Sequence, residues 1–247
     1  MTLNSRRGMH SMAVDSIGQR IIKGEIAPGQ TLNVEDLENE YDASRTVIRE
    51  ALRVLAAKGM VGARPKRGTY VMPRENWSLL DSDLLRWQFG EVADAKFLAN
   101  LAEVREIVEP AGARLAAQRR SETELETMRE TLALLDDTTA DPKDVVEADL
   151  RFHRTLLFAS HNELLQQLEI VIEMGLRARD MLVHGKGSWT ESVSAHRAVL
   201  DAVTSSDPDA AEAAMRRLLE QAARDVHALE QSPSTGTRLS IGRRRRS

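Results

Sequence analysis

A mainly α chain in two folded parts is predicted: three short helices and a β-hairpin at the N-terminus, then an all-α bundle. Three observations lead there. Apolar residues recur at helical spacing through most of the 247 residues. One turn-bounded hairpin pattern interrupts them near Pro65. Charge is also partitioned. Residues 1–76 hold 12 basic and 9 acidic side chains (net +3), residues 77–232 hold 17 and 29 (net −12), and residues 233–247 hold five Arg and no acid (net +5). The whole-chain net charge of −4 conceals this division. Absence of Cys excludes disulfide scaffolds, Cys-ligated zinc and thiol nucleophiles. No apolar run reaches the length of a membrane span, and Met1 to Met12 holds no signal-like apolar core. A cytoplasmic protein with no membrane partner is expected.

In chain order, Val14–Lys23 has apolar residues at Val14, Ile17, Ile21 and Ile22 and reads as a helix stopped by Gly24. Ala27-Pro28-Gly29-Gln30 is turn chemistry. Val34–Tyr41 is a short amphipathic helix with Asn33 as its cap. Ser44 opens a longer helix to about Lys58, with Val47, Ile48, Ala51, Leu52 and Leu55 on one face, and Gly59 ends it. Met60–Arg64 and Thr69–Met72 are short strands joined by Pro65-Lys66-Arg67-Gly68.

Three helices and a basic hairpin make a winged helix-turn-helix. From Ala43 to Arg74 there are eight basic residues (Arg45, Arg49, Arg53, Lys58, Arg64, Lys66, Arg67, Arg74) against Glu50, the footprint of a polyanion-binding head. The third helix presents Ser44, Arg45, Thr46 and Arg49 near its N-terminus, where side chains reach base edges and free N–H groups face phosphate. Arg suits bidentate contact with guanine, and hydroxyls suit phosphate oxygens. Gly68 permits a sharp wing turn that brings Lys66 and Arg67 to the backbone or minor groove. The competing reading is a packing module with solvated Arg residues; the coincidence of charge on helix and wing favours double-stranded DNA.

Ser44-Arg45-Thr46-Val47-Ile48-Arg49-Glu50-Ala51-Leu52, then Leu55, Gly59 and Arg67-Gly68-Thr69-Tyr70-Val71, resemble the GntR family of bacterial transcription regulators. The stretch Ile21–Gly29 is similar to the family's opening. The resemblance implies that Arg45, Arg49 and the Arg67-Gly68 tip contact operator DNA, with Ser44 and Thr46 in support.

Pro73–Leu80 breaks the pattern, with Ser78 resembling an N-cap, and the domain boundary is expected after Asn76. Helices are expected over Leu79–Phe89, Asp94–Arg120 (containing Pro110, which removes one hydrogen bond), Ser121–Leu135 and Pro142–Ala159. Asn162–Leu182, Thr190–Thr204 and Asp207–Glu230 follow, with a loop over His184–Ser188. These make a helical bundle at residues 77–232, large enough to enclose a ligand and to dimerise. Residues 233–247 lack an apolar face and read as a disordered basic tail.

Asp149 and His153 stand at i, i+4, so both project from one helix face, and His196 sits on another helix. Asp with two His suits a divalent metal such as zinc, nickel, iron or manganese. On spacing alone, a surface ion pair is the default for such a pair. Asp149-Leu150-Arg151-Phe152-His153 and Ser194-Ala195-His196-Arg197 resemble two metal motifs of the FCD domain, the helical ligand domain of the FadR-type branch. The resemblance implies a metal, with zinc favoured, and a third His in the last helix, but that position here is Leu218. Metal binding through three protein ligands is therefore expected to be weaker than in the family pattern.

Trp77–Trp87 and Val104–Ala111 are similar to the sugar-acid-responsive members of that branch, which points to an aldonate effector. Arg105 suits bidentate capture of its carboxylate. Glu109, one turn on, holds either Arg105 or a ligand hydroxyl, and a plain intrahelical salt bridge is the alternative. Trp189 and Ser192 are placed to line the pocket. The function expected is a ligand-responsive homodimeric repressor released from a palindromic operator. The alternatives are an activator answering a different carboxylate, a metal-dependent hydrolase or lyase, and a nonspecific architectural DNA binder.

Overall fold

A computed structural model describes residues 3–89, 95–137, 139–183 and 189–231. The expected basic tail and the loop at residues 184–188 lie outside them. The chain forms two compact units, one from Met1–Val104 with Gln167–Ala178, the other from Arg105–Gln166 with Arg179–Ser247.

In the first unit, α2 (Val34–Tyr41) and α3 (Arg45–Ala57) are the expected second and third helices, and α1 (Leu3–Ile22) is the expected first one but begins at Leu3 rather than Val14. Local chemistry starts and stops them. Asn33 Oδ1 accepts from Glu35 N at 3.0 Å, and the Ser44 side chain accepts from Val47 N at 3.5 Å. Strands β2 (Val61–Arg64) and β3 (Gly68–Val71) form the wing, with Arg64 opposite Gly68 and Val61 opposite Val71. A third strand, β1 (Thr31–Leu32), pairs antiparallel with the other side of β3, giving the order β1-β3-β2. Two residues carry no readable alternation, so the pattern could not show it. The wing tip turns through positive φ at both Lys66 (65°) and Gly68 (80°). Apolar faces of α1 and α3, including Ile17, Ile21, Ile48 and Leu55, close a core with Met60, Val71 and Trp77.

Helix α4 (Ser82–Phe89) begins later than expected and belongs to this same core through Leu84 and Trp87. Its cap is Asp81, not Ser78: Asp81 Oδ1 accepts from Asp83 N (3.0 Å) and Leu84 N (3.2 Å). Ser78 N instead donates to Lys58 O, at 2.9 Å. The reason is tertiary. Lys58, at the end of α3, sends Nζ to Asp81 and Asp83, at 2.8 Å each, and is only 11% exposed. Burial alone lowers the Lys58 ammonium, but the two carboxylates outweigh it and hold it above its ordinary value. Lys58 therefore ties the third helix to α4 rather than facing solvent. Trp87 Nε1 donates to Asp15 Oδ1 at 2.9 Å, completing the attachment of α4 to α1.

Gly59 makes that close turn possible. Its φ is +75°, and a Cβ there would lie 2.1 Å from Asn76 O. Gly24 shares the φ of +75° with open space around it. Gly59→Ala should cost at least about 2 kcal/mol, and Gly24→Ala about 1 kcal/mol, in denaturant unfolding. Equal losses would mean that backbone conformation alone decides both positions.

The remaining helices are α5 (Ala95–Arg119), α6 (Glu122–Asp136), α7 (Pro142–Phe158), α8 (Glu163–Gln166), α9 (Glu169–Val183), α10 (Trp189–Thr204) and α11 (Pro208–Gln231). The capping box forms at Ser121 and Glu124, and Asp141 and Asp207 cap helices that open on proline. The single helix expected over Asn162–Leu182 is broken at Gln167-Leu168 into α8 and α9. In the second unit, Ala113, Met128, Phe152, Val199 and Met215 share one apolar core.

Candidate functional site

The face formed by α3 and the wing is polar and exposed. Ser44, Arg45, Thr46, Arg49, Lys66, Arg67 and Gly68 all lie at the surface. Arg45 is 67% exposed and stands 3.8 Å from Glu38 Oε1, an ion pair too open to hold it. Ser44 is occupied as the helix cap. Arg67 is preorganised: Nη2 donates to Gly29 O at 2.7 Å, and the guanidinium lies 4.2 Å from the centroid of the Tyr70 ring. Of the basic residues between Ala43 and Arg74, Lys58 is turned inward, and Arg74 is hydrogen-bonded to Gln88. The cationic face is smaller than the sequence tally suggested.

A second constellation lies in the helical unit. Arg105, Glu109, Asp149, His153 and His196 are all buried, and among the described residues they are the only buried acidic, basic or imidazole side chains. Such groups are rarely buried without a role, and here they share one site. Helix α5 supplies Arg105 and Glu109 one turn apart, α7 supplies Asp149 and His153 one turn apart, and α10 supplies His196. Glu109 is held at both oxygens. Arg105 Nε donates to Oε1 at 2.5 Å, and His153 Nδ1 lies 2.5 Å from Oε2. Burial alone raises the Glu109 carboxyl, but the Arg105 guanidinium and then the His153 ring hold it down at about 2. Arg105 Nη2 is buried and has no hydrogen-bond partner among the described residues.

Asp149, His153 and His196 can hold a metal ion, since one ligand atom from each lies within 4.8 Å of the others. The hydrogen bonds decide which atoms face inward. His196 Nδ1 lies 2.7 Å from Ser192 O, and His153 Nδ1 faces Glu109, so both Nδ1 atoms are placed to donate to acceptors. In the neutral rings that metal ligation requires, each Nε2 then keeps a lone pair. These two nitrogens are 3.3 Å apart, with Asp149 Oδ1 2.9 Å from His196 Nε2. Two lone pairs and a carboxylate converging in a buried place fit a cation between them, and the Nδ1 acceptors are the supports that metal-bound His needs. Phe152 packs edge-on against the His196 ring, with centroids 4.9 Å apart. The position expected for a third His, Leu218, is buried in the apolar core with Phe152 and offers no ligand atom.

The structure therefore unites Arg105, Glu109, Asp149, His153 and His196, and places Ser192 beside them through its carbonyl more than its hydroxyl, whose Oγ is 3.4 Å from His196 Nδ1. The Trp189 side chain lies outside the described residues. Sequence reasoning missed the Glu109–His153 contact and the Ser192 carbonyl. The only available signal for the first was the pairing of Glu109 with Arg105.

Residues 10–71 match the bacterial regulatory proteins of the gntR family, and residues 100–221 match the FCD domain. The galactonate operon transcriptional repressor of Escherichia coli K12 is 34% identical over 227 residues, covering 91% of this chain and 97% of that protein. This chain is a GntR-family transcription regulator with an FCD domain. The uncharacterized regulator YieP of Escherichia coli K12 is 30% identical, covering 88% of this chain and 95% of its own. The Bacillus subtilis regulator LutR is 32% identical, covering 79% and 90%. The fold is shared with Lar of Listeria monocytogenes, at a TM-score of 0.61 and 18% identity over 93% of this chain and 98% of that one. GntR-family proteins with an FCD domain bind operator DNA and respond to small molecules, and the relatives and domains that this chain matches are those of transcription regulators. Among the described residues no helix is long and apolar enough to cross a membrane.

Glu109 gives this regulator a pH signature. Its carboxyl is held below the unfolded value, so it contributes stability above about pH 4.5 that is lost as pH falls toward about 2. Chelator-treated protein should therefore lose stability over that window, and Glu109→Gln should flatten the loss. Identical acid profiles for the two proteins would show that Glu109 is not held down.

Proposed function

We propose that this regulator is a homodimeric repressor that leaves a palindromic operator when a small carboxylate, an aldonate of the galactonate kind, binds its metal-bearing helical unit. The observation that carries the effector class is Arg105 Nη2, a buried donor with no partner among the described residues. A buried unmet N–H costs about 1–3 kcal/mol, and a ligand carboxylate removes that cost while accepting from a planar guanidinium. The similarity to a galactonate operon repressor supports the same class.

Asp149, His153 and His196 would hold a divalent metal, zinc by their ligand types, and the metal would supply Lewis-acid binding of the effector's carboxylate and α-hydroxyl. Leu218 leaves a coordination position for the effector or water rather than for protein. Glu109 is committed to Arg105 and His153, so it orients the site instead of meeting a ligand hydroxyl. Ser192 and Trp189 would line the pocket. On the DNA side, Arg45 and Arg49 would read bases, with Ser44, Thr46, Lys66, Arg67 and Gly68 on the backbone. Residues 1–76 would form the reading head, 77–232 the effector and dimerisation body, and the Arg-rich 233–247 a basic tail.

A thermal-shift series with aldonates and other small acids, with and without a chelator, tests the effector. One aldonate should stabilise the protein, and chelation should abolish the shift. Stabilisation that survives metal removal would separate the effector from the metal; no shift with any acid would overturn the effector class.

A further inference from the structure

Glu109 is the one described residue whose carboxylate touches both the guanidinium of Arg105 and a ring of the metal-ligand group, His153. It is 2% exposed, so bulk solvent competes for neither bond. We infer that Glu109 is a positioning residue shared by the metal site and the effector site, through which metal uptake and anion capture become one coupled event. This rests on the metal-bearing pocket proposed above.

The geometry supplies the link. Glu109 has only one negative charge to divide between Arg105 and His153. When His153 Nε2 is coordinated, its Nδ1–H becomes a stronger donor, and Glu109 is drawn toward the ring. Arg105 then has more of its field left for an incoming carboxylate. The converse also holds, because an anion on Arg105 Nη2 weakens the guanidinium's claim on Glu109 and leaves the carboxylate more available to His153. Linkage requires the two effects to be equal in free energy. Charge acts in the same direction. With both imidazoles counted as neutral, as metal ligation requires, the described buried groups Arg105, Glu109 and Asp149 sum to −1. A divalent cation makes this +1, and a monoanion then makes it neutral. The anion alone would leave −2 in a buried place. The site therefore favours a monoanion arriving with or after the metal over a neutral sugar or a dianion.

Zn(II) affinity, measured by competition with a chromophoric chelator and without any effector, tests this. Four full-length proteins are needed: the wild type, Glu109→Gln, Arg105→Lys and the double variant. Glu109→Gln should weaken Zn(II) binding about 10- to 100-fold at unchanged far-UV dichroism. Arg105→Lys keeps the positive charge but loses the guanidinium fork. It should tighten Zn(II) at least about threefold when Glu109 is present, and leave it unchanged in the Glu109→Gln background. Equal Zn(II) affinity in wild type and Glu109→Gln overturns the inference, as do strictly additive effects. A folded wild type that takes up no Zn(II) overturns the metal reading itself, and this inference with it. If Glu109→Gln does not fold, proton NMR of the wild type decides. A downfield imidazole Nδ1–H resonance of His153 that persists on Zn(II) addition supports the shared role, and its loss overturns it.

Discussion

Arg45→Ala combined with Arg49→Ala should remove specific operator binding while leaving the fold intact. Both side chains are exposed, and neither contributes to the apolar core of the head, so stability should change by no more than about 0.5 kcal/mol. Each base contact of this kind is worth about 1–3 kcal/mol, so losing two should weaken binding to the native promoter by about 30-fold at least and as much as about 10⁴-fold. The remaining affinity should be nonspecific and strongly dependent on salt. Lys66→Ala should instead weaken all duplexes alike and reduce the salt slope by about one. Lys58 offers an internal comparison, because its ammonium is engaged by Asp81 and Asp83. Shielding it should leave the salt slope unchanged. Tight, sequence-specific binding by the double Arg variant would mean that α3 is not the reading helix.

Metal loading should produce the largest change in stability. A metal held at about 100 times its dissociation constant adds about 2.7 kcal/mol, which for a chain of this length raises the melting temperature by roughly 5–10 °C. The chelator-treated protein should melt lower by that amount, and His153→Ala and His196→Ala should each abolish the difference. Both rings contribute an Nε2 to the same point, so losing either leaves two ligands. His153→Ala carries a second consequence, since it frees Glu109 Oε2 inside the core. His196→Ala frees the Ser192 carbonyl and Asp149 Oδ1 and empties the ring's place beside Phe152, but it leaves the Glu109–His153 bond intact. Equal melting of the loaded and chelated wild type would contradict the metal centre.

What the sequence made legible was local. Asn33, Ser44, Ser121 and Asp207 start helices where their side chains and the following residues indicate, because a cap is satisfied within three residues. The wing was readable from Pro65 to Gly68 because turn residues declare it. Asp149 and His153 were readable as one helix face, and His196 joined them through family resemblance rather than spacing. Three of the misreadings involve distant partners. Asp81 displaced Ser78 as the α4 cap because Lys58 holds it there, 23 residues away. Strand β1 exists only because β3 presents an open edge to it. The break at Gln167-Leu168 falls within an apolar pattern that reads as continuous helix. The Glu109–His153 contact spans 44 residues, and neither residue type nor spacing announces it. The three residues that could hold a metal were thus visible, while the Glu109 contact that joins them to Arg105 was not.

The most direct test of the whole account is the affinity of the metal-loaded protein for its own promoter DNA, measured by fluorescence anisotropy at fixed salt while D-galactonate and related aldonates are titrated in. The account predicts that one of these acids raises the dissociation constant at least about tenfold, a coupling of about 1.4 kcal/mol, and that neither chelator-treated protein nor Arg105→Met responds. An affinity that every aldonate leaves unchanged, or that an aldonate strengthens, would contradict it.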